Sequence, residues 1–347
     1  MVTSKGPSFV LSLDFELYWG MRDLVSLDEY RAHLLGAREA IPAMLELFER
    51  YGIHATWATV GLLFFESRAE LLACLPSTRP RYARRQLCPF EGILSVGKNE
   101  REDPFHFAPS LIAQIAATPG QEVATHTFSH YYCLERGQNK AAFRADLLAA
   151  ISVARRRGIK LSSIVFPRNQ CNPAYLPICR ELGILAYRGN ADSWIYRSRA
   201  AEQESSLRRV ARFADSYLPL SRASSMGGEY DGQTAGQKAA ELPVDVTAGR
   251  FLRPFDVRLR SAERLRLLRI QREFEQVVAA GGNYHLWWHP HNFGANLQEN
   301  LSFLGEIFEH YLYLKQRYGV RTQSMLEVAL DSTISPREVH EEHACTA

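Results

Sequence analysis

Apolar residues along this chain alternate between short unbroken runs and longer stretches at helical spacing, and that rhythm predicts a parallel α/β protein. Residues 9–13 are an apolar run leading into two acids, Asp14 and Glu16. This is the profile of a buried parallel strand with polar groups at its C-terminal end. Ser26 caps an amphipathic helix over residues 27–51, which Gly52 stops. Further strands are predicted at 53–60, 122–125, 163–166, 184–187, 283–288 and 320–322, with helices at 140–157, 173–182, 262–280 and 300–318. Two stretches break the rhythm and read as irregular insertions, about 65–118 with its scattered prolines and about 197–250 with a Gly/Ser-rich loop at 224–232. Residues 332–347 read as a flexible tail, which leaves one domain over 1–331. Repeated strand–helix units with polar groups at the strand ends favour a distorted (β/α) barrel of about seven parallel strands. No glycine fingerprint follows the first strand, which counts against dinucleotide binding.

Composition narrows the picture. An apolar share of 46% with 23% charged residues, over 347 residues, describes a globular chain with a sizeable core. The net charge of +3 argues against nucleic acid or an anionic membrane as partner. Six lysines leave 35 arginines, a bias that reads as genome base composition rather than ligand design. The N-terminus shows no basic, apolar, small-residue leader, and no stretch is apolar enough to cross a bilayer. Six cysteines without a C-x-x-C pair read as free thiols in a reducing, cytoplasmic setting.

Chemistry enters with His126-Thr-Phe-Ser-His130, which a predicted strand feeds directly. Two histidines four apart, on one face of a helical turn, can share a cation. A hydrolytic metal site needs three protein ligands and an open position, and either Asp14 or Glu16 can supply the third. On an extended chain residues i and i+2 point to one side, so the two carboxylates share a face. The other predicted strand ends add Pro167-Arg-Asn169, Asp192-Ser-Trp194 and His285-Leu-Trp-Trp-His289-Pro-His291 to the same rim. Of the last group, His285 faces the same side as His289 but deeper, and His291 lies in the loop. Trp19, Trp194 and Trp288 are candidates to stack on a ligand ring, although large aromatics more often fill cores.

With these residues in view, the chain resembles the polysaccharide deacetylase superfamily, the NodB-homology or carbohydrate esterase family 4 group. The resemblance rests on Ser12-Leu-Asp14-Phe-Glu16, His126-Thr-Phe-Ser-His130, Phe166-Pro-Arg-Asn169 and Leu286-Trp-Trp-His289, and spans residues 9 to about 330. It implies a NodB-like barrel and a divalent metal, Zn²⁺ before Co²⁺, Ni²⁺ or Mn²⁺, on Glu16, His126 and His130. It further implies Asp14 as base, with the reverse assignment of the two acids open, Arg168 paired to Asp14, and His289 as acid oriented by Asp192. Asn169, with a backbone N–H near it for the oxyanion, Trp194, His291 and, as a phosphate contact, Arg253 would meet substrate. The Asp-Phe-Glu-Leu-x-Trp-Gly variant is similar to members tied to bacterial surface-sugar synthesis such as O-antigen assembly. The implied substrate is an N-acetylated or N-formylated amino sugar, nucleotide- or lipid-linked. Two rivals stand beside it: an allantoinase-like hydrolase of a non-sugar amide, and a non-catalytic glycan-binding barrel.

Overall fold

The computed structural model describes residues 6–191, 206–217 and 242–333. Its centre is β1 (Ser8–Phe15), buried at every position. Around it run β2 (Ala55–Thr59), β3 (Gln121–Thr125), β4 (Ser163–Ile164), β5 (Ala186–Tyr187), β6 (Val244–Asp245), β7 (Arg250–Phe251), β8 (Asn283–Trp288) and β9 (Arg321–Gln323). Among the described residues these strands all pair in parallel, in the order β6-β5-β4-β3-β2-β1-β8-β7, with β9 on β1. The helices are α1 (Leu27–Tyr51), α2 (Arg68–Ala73), α3 (Pro109–Ala117), α4 (Lys140–Arg156), α5 (Leu176–Glu181), α6 (Ser206–Asp215), α7 (Glu263–Ala279), α8 (Leu297–Tyr318) and α9 (Met325–Thr333).

Local signals set the longest elements. Ser26 and Glu29 form a reciprocal capping box at the start of α1, and Gly52, at φ 61°, ends it in the left-handed conformation that a side chain resists. Both ends agree with the sequence reading. The stretch 65–118 is less irregular than expected, because α3 within it packs on β3 and α1 as the crossover helix between β2 and β3.

The second expected insertion contains a piece of the wall. Only residues 246–249 separate β6 from β7, and this one extended segment pairs with β5 by its first half and with β8 by its second. Two further backbone bonds, Ala248 N–H to Gly189 O and Gly249 N–H to His285 O, extend both pairings. The segment thus joins the two ends of the strand path and curls the sheet into a barrel-like wall. Two-residue strands carry too little periodicity to stand out in sequence, so 244–251 read as loop.

Alternation along β1 separates two cores. Phe9, Leu11, Leu13 and Phe15 face outward into the large cluster under the helices. Val10 faces inward, with Ala58, Val165, Ala186 and Val246. The sequence reading missed α9, which plugs this lumen from below with Met325, Val328 and Ala329. Its N-terminus is received by Glu122 and Thr56, whose side-chain oxygens accept the Leu326 and Met325 N–H groups at 3.1 and 2.8 Å. Above the plug the inward positions turn polar, from Ser12 to Asp14 and Glu16.

The half-buried pair His54–Glu327, at 2.9 Å, ties α9 to the residue before β2. The hydrogen bond to Glu327 raises the His54 pKa above 6.5, while burial alone drives the Glu327 carboxyl up and the His54 contact outweighs it to hold it below 4.5. The His54 contribution is complete below pH 6.5 and fades as pH rises through the raised value. The Glu327 contribution is complete above pH 4.5 and fades as pH falls through the lowered one. Glu327→Gln is therefore expected to lower the Tm most between about pH 5 and 6.5. Thermal melts across pH should show the gap to wild type shrinking above about pH 8.

Candidate active site

Register brings the strand ends to one level. Phe15 pairs with Thr59, Thr59 with Thr125, Thr125 with Ile164 and Ile164 with Tyr187. One residue further along, the chain presents Glu16, His126 and Arg188. Leu13 pairs with Trp288, so the next step sets His289 level with Asp14.

Glu16, His126 and His130 are buried, with ligand atoms all within 4.8 Å of one another. The Glu16 Oε2 lies 2.9 Å from His130 Nε2 and 3.4 Å from His126 Nε2. His126 donates from Nδ1 to the Val165 carbonyl at 2.8 Å, which leaves the Nε2 lone pair facing the carboxylate. That Nε2 is buried without a hydrogen-bond partner, as is His130 Nδ1. Burial pushes the His130 pKa down to about 4, so its imidazole is neutral as a ligand must be. Two imidazoles and one carboxylate with an unmet lone pair form a donor set that fits a Zn²⁺-like cation. Gly20 makes room for the Glu16 carboxylate: a Cβ there would lie 2.0 Å from its carboxyl carbon.

The histidines do not sit on a helical turn as the four-residue spacing suggested. Thr127 and His130 have φ of 63° and 56°, and the loop between them is tied down by Asp146 of α4. Asp146 accepts the Phe128 N–H at 2.7 Å and the Ser129 N–H and hydroxyl. Burial still lifts this carboxyl to about 6. Six non-glycine residues among those described have positive φ, and five of them, Leu17, Thr127, His130, Arg168 and Asn169, border the acids and histidines. Strain gathered in this way marks a site that its surroundings over-determine.

Asp14 is held by Arg188, a residue the sequence reading did not single out. The guanidinium makes a bidentate pair with Asp14 at 2.7 Å on both oxygens, and donates to Ser12 Oγ at 3.0 Å and Asn169 Oδ1 at 2.8 Å. Its other face lies 4.3 Å from the Trp287 ring centroid. Burial raises the Asp14 pKa, but Arg188, with His126 and His289, outweighs it and keeps the carboxyl below its ordinary range. The pairing continues down the lumen. His285, pushed by burial to about 3, is neutral, and its Nδ1 meets the Thr247 carbonyl at 3.2 Å. A carbonyl only accepts, so Nδ1 carries the proton. Nε2 then accepts from the Ser12 hydroxyl at 2.8 Å, which frees Ser12 Oγ to accept from Arg188.

Arg168, expected on Asp14, instead donates to Asp23 at 2.6 Å and covers the Tyr132 ring at 4.5 Å. Its backbone explains the change: φ of 54° at both Arg168 and Asn169 turns the chain at this point. Of the backbone N–H groups near Asn169, its own donates to Phe166 O and that of Gln170 to Pro167 O. Arg188 follows a two-residue strand, and its only sequence signal was an arginine at a strand end.

His289 stands opposite, with Nε2 3.8 Å from Asp14 and 3.7 Å from Glu16. Its Nδ1 meets Asn292 Oδ1 at 3.3 Å, and its ring stacks on His291 at 4.9 Å. His291 is buried behind it against Tyr30, and burial drops its pKa to about 3. Helix α1 presses on this loop through glycines: a Cβ on Gly36 would lie 2.0 Å from Gly294 O, and one on Gly294 2.1 Å from His33 O. Asp192 and Trp194 lie outside the described residues. Arg253 contacts Ser216 and Phe213 rather than the acid–histidine cluster. Trp19 and Trp288 are core residues, 2% and 0% exposed.

Removing Arg188 strands a buried carboxylate. Arg188→Ala is expected to cost about 3–5 kcal/mol in urea unfolding, and Arg168→Ala distinctly less. The reverse order would mean that Arg168 is the partner Asp14 depends on. Gly20→Ala displaces the Glu16 carboxylate, and titration calorimetry should show zinc binding weakened by about 10–100-fold. Unchanged affinity would remove Glu16 from the ligand set.

No protein-family model and no curated protein matches the chain. Solved structures do. A Mycobacterium smegmatis protein provisionally described as a polysaccharide deacetylase aligns with a TM-score of 0.54 and 13% identity, over 99% of this chain and 93% of its own. The Puue allantoinase aligns with a TM-score of 0.51 and 13% identity, over 93% and 88%. The 4-alpha-glucanotransferase of Thermococcus litoralis reaches 0.50 and 12%, over 96% of this chain but 41% of that one. These three names cover different chemistries, so the likeness speaks for architecture and leaves the reaction to the residues. The chain shares its parallel α/β barrel-like fold with these solved structures, a provisionally described polysaccharide deacetylase among them.

Proposed function

We propose that the protein is a metal-dependent amide hydrolase that removes an acetyl or formyl group from the nitrogen of an amino sugar. One observation carries this reading. Glu16, His126 and His130 form a cation-ready donor set with a second, separately paired carboxylate and an imidazole beside it. A cation held there supplies a Lewis acid that polarises the acyl carbonyl and acidifies water. Asp14, kept ionised and oriented by Arg188, takes the proton of the attacking water. His289, with Nδ1 turned to Asn292, presents Nε2 to give a proton to the departing amine. Bond cleavage leaves a free amino sugar and acetate or formate. The resemblance noted in sequence supports a nucleotide- or lipid-linked sugar of surface-polysaccharide assembly as substrate, and a cytoplasmic setting.

Zinc-loaded protein is expected to release acetate or formate from at least one N-acylated nucleotide sugar, assayed beside ureide and cyclic amide substrates. Hydrolysis confined to the latter would favour the allantoinase-like rival. Asp14→Asn should lower turnover by about 10²–10⁴-fold with zinc content unchanged. His126→Ala should lose the metal, as read by elemental analysis. Turnover surviving Asp14→Asn would overturn this assignment of the base.

A further inference from the structure

Fourteen large apolar side chains are exposed among the described residues, and six of them fall in two neighbouring segments: Leu207, Val210, Phe213, Val257, Leu265 and Leu268. The first segment is α6. The second leaves the C-terminal end of β7, passes through a 3-10 turn (Val257–Ala262) and becomes α7. A buried ion network joins them. Asp215 accepts from Arg250 at 3.1 Å and Arg269 at 3.0 Å, and Glu273 accepts from the same two arginines. The Arg253 guanidinium lies 4.8 Å over the Phe213 ring.

The inner face of α7 is spent on that network and the core. Its outer face carries Arg264, Leu265, Leu268 and Arg272, with Glu275 beside His310 on the same face, all five exposed and at helical spacing. Val257, 65% exposed, precedes them. Residues 250–272 hold eight arginines against two acids in a chain whose net charge is only +3, although Arg250 and Arg269 are neutralised by Asp215 and Glu273, and Arg266 by Glu263. The overall balance hides this local excess, which is why the sequence reading found no argument for an anionic surface. Arg258 and Arg260 lie near Asp256 and Glu299, whereas Arg264 and Arg272 have no acidic partner among the described residues.

Leucines set in water between arginines match a partner that is negative at its surface and apolar beneath it. A nucleic acid would meet the charge but leave the leucines wet. A second copy would cover the leucines but oppose arginine to arginine across a two-fold axis. We infer that the outer face of α7, with Val257 and the exposed side of α6, docks on an anionic lipid bilayer. The leucines enter the headgroup region, and Arg264 and Arg272 meet lipid phosphates. Phe251, at the start of the segment, lies 6.0 Å from His289, so docking holds the candidate site beside the bilayer. The inference does not depend on the hydrolase reading, because its test needs no substrate.

The test is co-sedimentation of the full chain with phosphatidylcholine vesicles, with and without roughly one-third phosphatidylglycerol. Binding should require the anionic lipid and weaken with salt. It should fall by at least about tenfold in Arg264→Glu/Arg272→Glu and again in Leu265→Ser/Leu268→Ser, with thermal melts unchanged in both. Absence of binding, or binding that neither double variant alters, overturns the inference. So does a dimer in solution that Leu265→Ser/Leu268→Ser dissolves without any vesicle binding, which would give the face to a second copy. Retention of a single-stranded RNA oligomer by a protein that ignores vesicles would likewise give it to nucleic acid.

Discussion

Two buried carboxylates placed two residues apart at the end of one strand cannot both stay charged unless each is stabilised by a counter-charge or by polar partners of its own. The rim of this barrel is organised around that requirement. Asp14 takes a permanent cation, Arg188, in a bidentate geometry that fixes both its charge and its orientation. Glu16 takes two imidazoles instead, partners that are neutral in themselves and open to a further ligand. Burial would raise both acids; Arg188, with His126 and His289, drives Asp14 down, and His289, with His130 and His126, drives Glu16 down. The difference between a fixed cation and a pair of neutral donors is what lets adjacent acids hold different roles.

The support behind each partner is as specific as the partner. Arg188 is aimed by Ser12, Asn169 and the Trp287 ring, and Ser12 is in turn fixed by a neutral His285. His126 is oriented by a backbone carbonyl of the adjacent strand, and the loop to His130 by the buried Asp146. These contacts reach the site from several strands and from α4, so the geometry belongs to the barrel wall and not to any one loop.

Much of this was legible in the sequence because it is periodic or dense. The buried first strand, the α1 caps, the histidine pair after β3 and the depth of His285 all follow from spacing and from period-two alternation. What failed to show has a common cause: it depends on which distant residues meet. Arg168 and Arg188 both follow short strands, and only a backbone turn at 168–169 sends the first to Asp23 and leaves the second for Asp14. The wall segment 244–251 pairs with two strands by only a few residues each, too briefly for a pattern. The helical turn read into His126–His130 was a spacing argument that ignored the left-handed residues needed to aim both rings inward.

The three neighbours of β1 have a consequence for how the chain matures. Of the strands that flank residues 8–15, only β2 lies within the first hundred residues, while β8 and β9 come after residue 280. A growing polypeptide leaving the ribosome therefore exposes this fully buried strand, and the acids at its tip, long before two of the three neighbours exist. Contacts of such sequence separation form late and slowly. The two acids at the tip of β1, although synthesised well before β8 and β9, would be among the last to reach their final surroundings.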